Sequence, residues 1–518
     1  MFQFAINVTP PEIPSAAVLT TGLIVGFYGG ALALIFIARA ILRYWYKSVI
    51  GVKKSILLVR VPKEAAEKKQ EMEKQKTLQE IQEDIAVGEK LFAALGGLRA
   101  QRGIAVWFLG RTDIFSLEMV VHEGLIWFYA VTPPKYKDFA ISQIHALYPN
   151  AQIEETEDYN IFKPRGVIAG GYVTLKRPTL FPIKTFRKLE ADPLDALTNA
   201  LSRLDKTDGA AIQFTIRSAR RQWRKYGAKV AIEMQKGKTV HEAMASVSAW
   251  KSLTKVFKTK KKGPSGMPEE ESSKRFLSAM EQDQQKAIQE KSSKAGLDVN
   301  IRIVTCAETG ARAHEYLENI MNAFTQYNWF EFGNSFAKSY PRFTKFLIRD
   351  FIYRAWRDRR RATFGAEELA SLWHLPLPTT ETPNISWLLA RKAPAPVNVP
   401  QQGIILGYNR YRGLETVIRL KRDDRRRHLY IIGKSGTGKS VFLENMAIQD
   451  IRAGEGVCVV DPHGDLIEHI LAAVPKERID DVIVFDPSDT ERPVGLNMLE
   501  AKDESQKDFA VQEMIAIF

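Results

Sequence analysis

From Ala16 to Ala38 the chain carries no charged residue, and the run "AAVLTTGLIVGFYGGALALIFIA" decides where everything after it sits. As an α-helix it is about 34 Å long against a hydrocarbon core of about 30 Å, so it can cross a bilayer once. No Lys or Arg precedes it, whereas Arg39, Arg43, Lys47, Lys53 and Lys54 follow, with Tyr44, Trp45 and Tyr46 as an interfacial belt. The positive-inside bias therefore predicts a single-pass anchor in the cell membrane, N-terminus outside and the bulk cytoplasmic. A cleaved signal peptide wants its positive charge first and a shorter apolar run, and fits less well. Gly22, Gly26 and Gly30 recur at four-residue spacing, a surface on which two such helices can pack.

Far down the chain, His428 to Phe442 reads "HLYIIGKSGTGKSVF". Gly433, Gly438, Lys439 and Ser440 fit GxxxxGK[ST], with Lys434, Ser435, Gly436 and Thr437 completing the loop. In that pattern backbone N–H groups wrap phosphate oxygens, the lysine reaches the β and γ phosphates, and the serine hydroxyl ligates Mg²⁺. The expected cofactors are ATP and Mg²⁺, the metal held through Ser440. The context agrees: Leu429 to Ile432 reads as a short apolar strand, and Val441 to Arg452 as a helix closed by Gly454. Two further apolar strands each end in Asp-Pro, in "VCVVDPHGD" and "DVIVFDPSD". A right-handed β-α-β winding makes all three parallel and brings Asp461 and Asp486 to the edge that carries the loop. Asp461 is assigned to the nucleotide site and Asp465 is a further candidate; the plainer alternative is that each Asp-Pro starts a turn.

The segments "RRRHLYIIGKSGTGKS", "GEGVCVVDPHGDL" and "ERPVGLNML", in that order, resemble the opening of the motor domain in the FtsK–HerA superfamily, especially the type IV secretion and conjugation coupling ATPases of the TraG/TraD kind. The resemblance covers roughly Gly403 to Glu500. It implies a RecA-like α/β domain, a homo-oligomer (a hexamer in relatives), DNA as cargo, and secretion-channel proteins as partners. A pilus- or channel-assembly ATPase acting on protein is the alternative, as is a nucleotide-binding membrane scaffold without hydrolysis. In the family the Walker B aspartate and its catalytic glutamate lie on a later strand. Nothing after Asp486 has the form of four apolar residues followed by Asp-Glu, so the P-loop domain reads as truncated, the front part of a longer motor.

Only Cys306 and Cys458 are present, which argues against a disulfide framework, and the histidines lack ligand spacing for a structural metal. The net charge of +14 favours anionic partners. Between anchor and loop, strand-helix-strand pieces recur: Leu125 to Pro133, Tyr136 to Tyr148 and Ala151 to Tyr159; then "YVTLKRP" to "FPIKTF", a helix capped by Asp192, and Ala210 to Ala219; then "DVNIRIVTC" and a helix over Ala311 to Tyr327. They predict one or two ferredoxin-like α+β units. Arg342 to Arg361, "RFTKFLIRDFIYRAWRDRRR", interleaves arginines with aromatics; that mixture suits nucleic acid, but the favoured reading is an amphipathic helix whose aromatic side is core and whose arginines face water or anionic lipid.

The expected division is anchor over 1–48, charged stalk over 49–90, α+β platform over 91–235, basic flexible insertion over 236–300, platform continued with the basic-aromatic helix over 301–375, proline-rich linker over 376–400, and the front half of a P-loop ATPase domain over 401–518.

Overall fold

The computed structural model describes residues 15–63, 78–247, 277–388, 393–495, 497, 500–501 and 503–517. The extreme N-terminal segment, much of the charged stalk, the basic run Lys251 to Lys262 with its "GPSGMPEEESS" sequel, and part of "ERPVGLNML" lie outside them. The chain divides into two compact units, Met1–Lys392 and Ala393–Phe518.

The first unit begins with α1, Ser15–Val52, one continuous helix. Its window Leu23–Arg43 is long and apolar enough to cross a membrane, and none of that window is buried against protein. Next come β1 (Ser55–Arg60), α2 (Leu78–Gly97), α3 (Ile104–Leu109), β2 (Phe115–His122), β3 (Leu125–Thr132), α4 (Lys137–Leu147) and β4 (Gln152–Thr156). They are followed by β5 (Val167–Leu175), α5 (Leu194–Ser202), β6 (Gly209–Ser218), α6 (Arg221–Gln235), α7 (Val240–Val247), α8 (Ala279–Ser293), β7 (Gly296–Ala307), α9 (Gly310–Ala323) and β8 (Phe336–Ser339). The unit closes with α10 (Thr344–Ile352), β9 (Ala362–Gly365) and α11 (Ala366–Leu372).

All nine strands form one sheet in the order β4-β1-β3-β2-β6-β7-β5-β8, with β9 paired to β7. The order is a repeat: each half places its four strands as a β-α-β-β-α-β unit does, the second with α6, α7 and α8 inserted between its middle strands, and the two halves meet where β2 pairs antiparallel with β6. The mixed α/β architecture expected from the recurring pieces is therefore present, as one continuous antiparallel sheet.

Period-two alternation gives the sheet two different faces. Leu57, Val59, Leu117, Met119, Phe128, Ile212, Phe214, Ile301 and Ile303 point to one side and join the main core under the helices. On the other side a smaller cluster of Ile56, Leu58, Val120, Tyr129 and Val304 shares the surface with buried Glu118, Gln213, Asn300 and Arg302. Leu347 and Phe351 of α10 cover this second face.

Several sequence expectations change here. Residues 55–60, expected in the stalk, are a buried strand, and α2, which includes the stalk's end, packs Ile85, Leu91, Phe92 and Leu95 into the core. α8, expected in the flexible insertion, is a capped helix with Ile288 buried against α6 residues Val230 and Met234. The proline-rich stretch is bound to the first unit as far as Leu388: Leu375, Leu377 and Ile385 are buried, Ile126 N–H donates to Asn384, and Ser386 N–H donates to Ile126. The basic-aromatic segment is not one helix. It breaks after Ile352, and Arg354 takes a left-handed backbone at φ 47°.

In the second unit β10 (Ile404–Tyr411) and β11 (Leu414–Leu420) form a hairpin whose turn is Arg412 and Gly413, both at positive φ, as the tightest hairpin turns require. α12 (Lys439–Arg452), α13 (Asp465–Ala472) and α14 (Glu504–Ile517) follow. α12 is pinned to the hairpin by Gln449, whose amide accepts from Ile405 N–H (2.8 Å) and donates to its carbonyl (2.9 Å). The parallel sheet expected from Leu429 to Ile432, Val457 to Asp461 and Val482 to Asp486 does not form: these segments are not in strands. Tyr430, Ile432, Val460 and Ile483 are largely exposed, and among the unit's described apolar side chains only Ala447 and Ile470 are buried. A parallel strand is stable when both its faces are covered, and here they are open.

Candidate functional site

The loop from Gly433 to Ser440 takes its shape from its glycines. Gly436 and Gly438 sit at φ 77° and 90°, where a side chain would strain the backbone, and a Cβ on Gly433 would lie 2.5 Å from Thr437 Oγ1. Thr437 Oγ1 donates to the Lys434 carbonyl at 2.7 Å and closes the turn. Gly438 is the N-cap of α12, so the first N–H groups of that helix face the loop without helical acceptors. Lys439 arches back, its ammonium donating to the carbonyls of Gly433 and Lys434, both at 2.9 Å. Ser435 and Ser440 are exposed. Free backbone donors, a helix N-terminus and a cation held only by carbonyls it can leave form a donor set that fits a polyphosphate, with Ser440 positioned to meet its metal ion.

The acidic candidates are engaged with their own chain neighbours. Asp461 accepts from His463 N–H (3.3 Å) and Leu466 N–H (3.2 Å), so it caps the start of α13, and Asp465 is exposed in that helix's first turn. Asp486 accepts from Ser488 N–H (2.8 Å) and Oγ (2.7 Å), hydrogen bonds that hold its carboxyl below the usual aspartate range. Both Asp-Pro pairs therefore build turns. The loop residues come together as the sequence predicts, while the carboxylates are engaged locally.

A second polar constellation, buried in the first unit, escaped the sequence reading. Glu118 Oε1 and Oε2 accept from Arg354 Nε (3.0 Å) and Nη2 (3.1 Å), from Ser116 Oγ (2.6 Å), from Tyr159 OH (2.7 Å) and from Gln213 Nε2 (2.9 Å). Arg354 also donates to both oxygens of Asp158, at 2.5 and 2.6 Å. Burial alone pushes the Glu118 carboxyl up, but the Arg354 guanidinium, with the Ser116 and Tyr159 hydroxyls, outweighs it and the net displacement is downward. Gln213 passes the network on to Arg302 Nη1 (2.7 Å). The one available signal was a single carboxylate among apolar residues in "FSLEMVVH". The network makes the reversed backbone at Arg354 intelligible: the arginine turns inward to meet a charge that has no water.

No curated protein matches the chain. Residues 54–388, most of the first unit and none of the phosphate-type loop, match a family described as a domain of unknown function, DUF8128. That match spans well over half of the chain, and the protein belongs to this family.

Proposed function

We propose that the protein is a membrane-anchored P-loop ATPase component that couples nucleotide binding to the movement of DNA, or of a DNA–protein complex, through a secretion or conjugation apparatus. The observation that carries this reading is the Gly433 to Ser440 loop, with Lys439 folded over Gly433 and Lys434 at the start of α12. Bound ATP with Mg²⁺ would supply the phosphoryl chemistry. The chain's own part is to wrap the phosphates with backbone N–H groups, place the Lys439 charge against them and offer the Ser440 hydroxyl to the metal. The resemblance to FtsK–HerA motors supports a RecA-like reading of the P-loop unit and a homo-oligomeric, hexameric assembly. The strand order within each half of the large sheet supports reading the first unit as two ferredoxin-like repeats, an assembly platform. Several arginines of the basic-aromatic segment are spent on internal pairs, so DNA contact is assigned to the motor unit.

ATP turnover by the reconstituted protein, with and without duplex DNA, tests the cargo. Stimulation by DNA supports the coupling motor; turnover indifferent to DNA points to protein cargo, and tight binding without turnover to a nucleotide-ordered scaffold.

The anchor reading adds a topology. A reporter fused after Lys54 is expected in the cytoplasm and one at the N-terminus outside, and neutralising Arg39, Arg43, Lys47, Lys53 and Lys54 together should scramble that preference. Both reporters on the same side would contradict a single pass.

A further inference from the structure

Where the apolar window of α1 ends, two arginines one turn apart grip a single carbonyl. Arg39 Nε and Arg43 Nη2 both donate to Trp107 O at 3.0 Å, and the Arg39 guanidinium lies 4.2 Å from the centre of the indole ring. Trp107 belongs to α3, the sequence "IAVWFL", which stands between Gly103 and Gly110 at φ 113° and 97° and buries none of its residues. Ile104 is 78% exposed and Trp107 is 39% exposed. An apolar single-turn helix with a tryptophan, clamped to the basic end of a membrane-length helix, has the composition of a segment that rests in the headgroup layer.

Behind α3 lies a cavity of about 140 Å³, several water molecules in size, into which Arg43, Lys54, Arg111, Arg217, Arg220 and Arg354 converge. Three of these cations are neutralised: Arg111 by Asp113 (2.6 Å), Arg217 by Asp358 (3.1 Å), and Arg354 by Glu118 and Asp158. Arg43, Lys54 and Arg220 have no carboxylate at ion-pair distance among the described residues, and Arg43 Nε is a buried donor with no acceptor. Burial, and next the nearby Arg354 charge, push the Lys54 ammonium down to about 7, although Glu118 and Asp158 pull the other way. Cations gathered in a partly closed space at this cost call for an anion.

We infer that this cavity receives the phosphate of an anionic phospholipid from the leaflet in which α1 ends, with Arg43, Lys54 and Arg220 as its ligands and α3 lying against the acyl boundary. The inference rests on the membrane-anchor reading and is independent of the nucleotide loop. α1 delivers Arg43 to the cavity from the membrane side, whereas a soluble anion would need no apolar helix beside its site. The site also gives the platform a fixed height and rotation above the bilayer.

The test uses the full chain in nanodiscs of phosphatidylcholine with or without phosphatidylglycerol, and counts by native mass spectrometry the lipids retained on release. The parent should retain phosphatidylglycerol selectively. Lys54→Gln and Arg220→Gln, at half-buried and exposed positions, should each cut that selectivity about fivefold, at roughly 1 kcal/mol per cation near the surface. Added inorganic phosphate should not displace the lipid; displacement at equal phosphate concentration would overturn the lipid assignment in favour of a soluble anion. Alkaline carbonate washing of native membranes reads the anchor alone. A chain that washes off overturns both the anchor and this site, while a chain that stays embedded yet retains both lipids equally overturns the site only.

Discussion

Lys439→Ala should lower the affinity for Mg²⁺–ATP by two orders of magnitude or more, and leave folding and membrane attachment as they were. The lysine is partly exposed, and among the described residues its hydrogen bonds are to two loop carbonyls that water can satisfy in its absence, so its loss leaves no buried group unpaired. Charge-assisted hydrogen bonds to phosphate are each worth about 1.5–3 kcal/mol, and a lysine reaching two phosphates supplies more than one. The retained helix N-terminus keeps a residual affinity for any polyanion, so the loss should be larger for ATP than for inorganic phosphate. Nucleotide titration alongside a thermal melt checks both parts. Equal ATP affinity in variant and parent would remove the loop from the account.

Arg354→Met should destabilise the first unit by about 3–5 kcal/mol, the cost of leaving one charge of a buried pair without its partner. Methionine keeps most of the side-chain volume and the same backbone demand at φ 47°, so the loss reports on Glu118 rather than on a cavity. The double variant Arg354→Met, Glu118→Met should recover much of it, because an apolar pair leaves no charge to desolvate. Asp158, whose side chain is 44% exposed, can turn to water. The pH dependence has a definite sign. The folded-state value of Glu118 is displaced downward, so its contribution is present above the unfolded carboxylate range and is lost as pH falls through the lower folded value. In Arg354→Met the guanidinium's pull is gone while burial still pushes that carboxyl up against the Ser116 and Tyr159 hydroxyls, so the deficit should be greatest near neutral pH and shrink in acid. Urea unfolding at several pH values measures this, and single and double variants of equal stability would refute the pair.

What could be read in the sequence was what depends on near neighbours. The apolar run of α1, the loop glycines and the apolar strand β3 with the helix after it are local patterns, and they appear where the residues place them. The remainder depends on distant partners. β1 follows directly on the basic belt of α1 and looks like tether until β3 and β4 are seen on either side of it. α8 has a polar composition that suits a loop, yet its Lys291 is buried against Glu368, 77 residues away, and sits over the Phe364 ring. The prolines after Leu375 suggested a linker; leucine and isoleucine between them are inserted in the core instead. Arg354 could not be told from its neighbouring arginines, since only the fold brings β2 beneath it. The acidic candidates show a local choice instead. Asp461 and Asp486 are followed by residues whose N–H groups they can cap, and that local option competes with a distant metal.

The most direct measurement of the central claim is a titration of the purified full chain with a fluorescent ATP analogue in the presence of Mg²⁺, read against ATP, ADP and adenosine as competitors. A site built from loop N–H groups, Lys439 and Ser440 recognises phosphates rather than the base. The prediction is saturable binding that ATP and ADP displace, that adenosine leaves in place, and that Lys439→Ala removes. Binding displaced as well by adenosine as by ATP, or no saturable binding at all, would contradict the assignment of this loop as the nucleotide site.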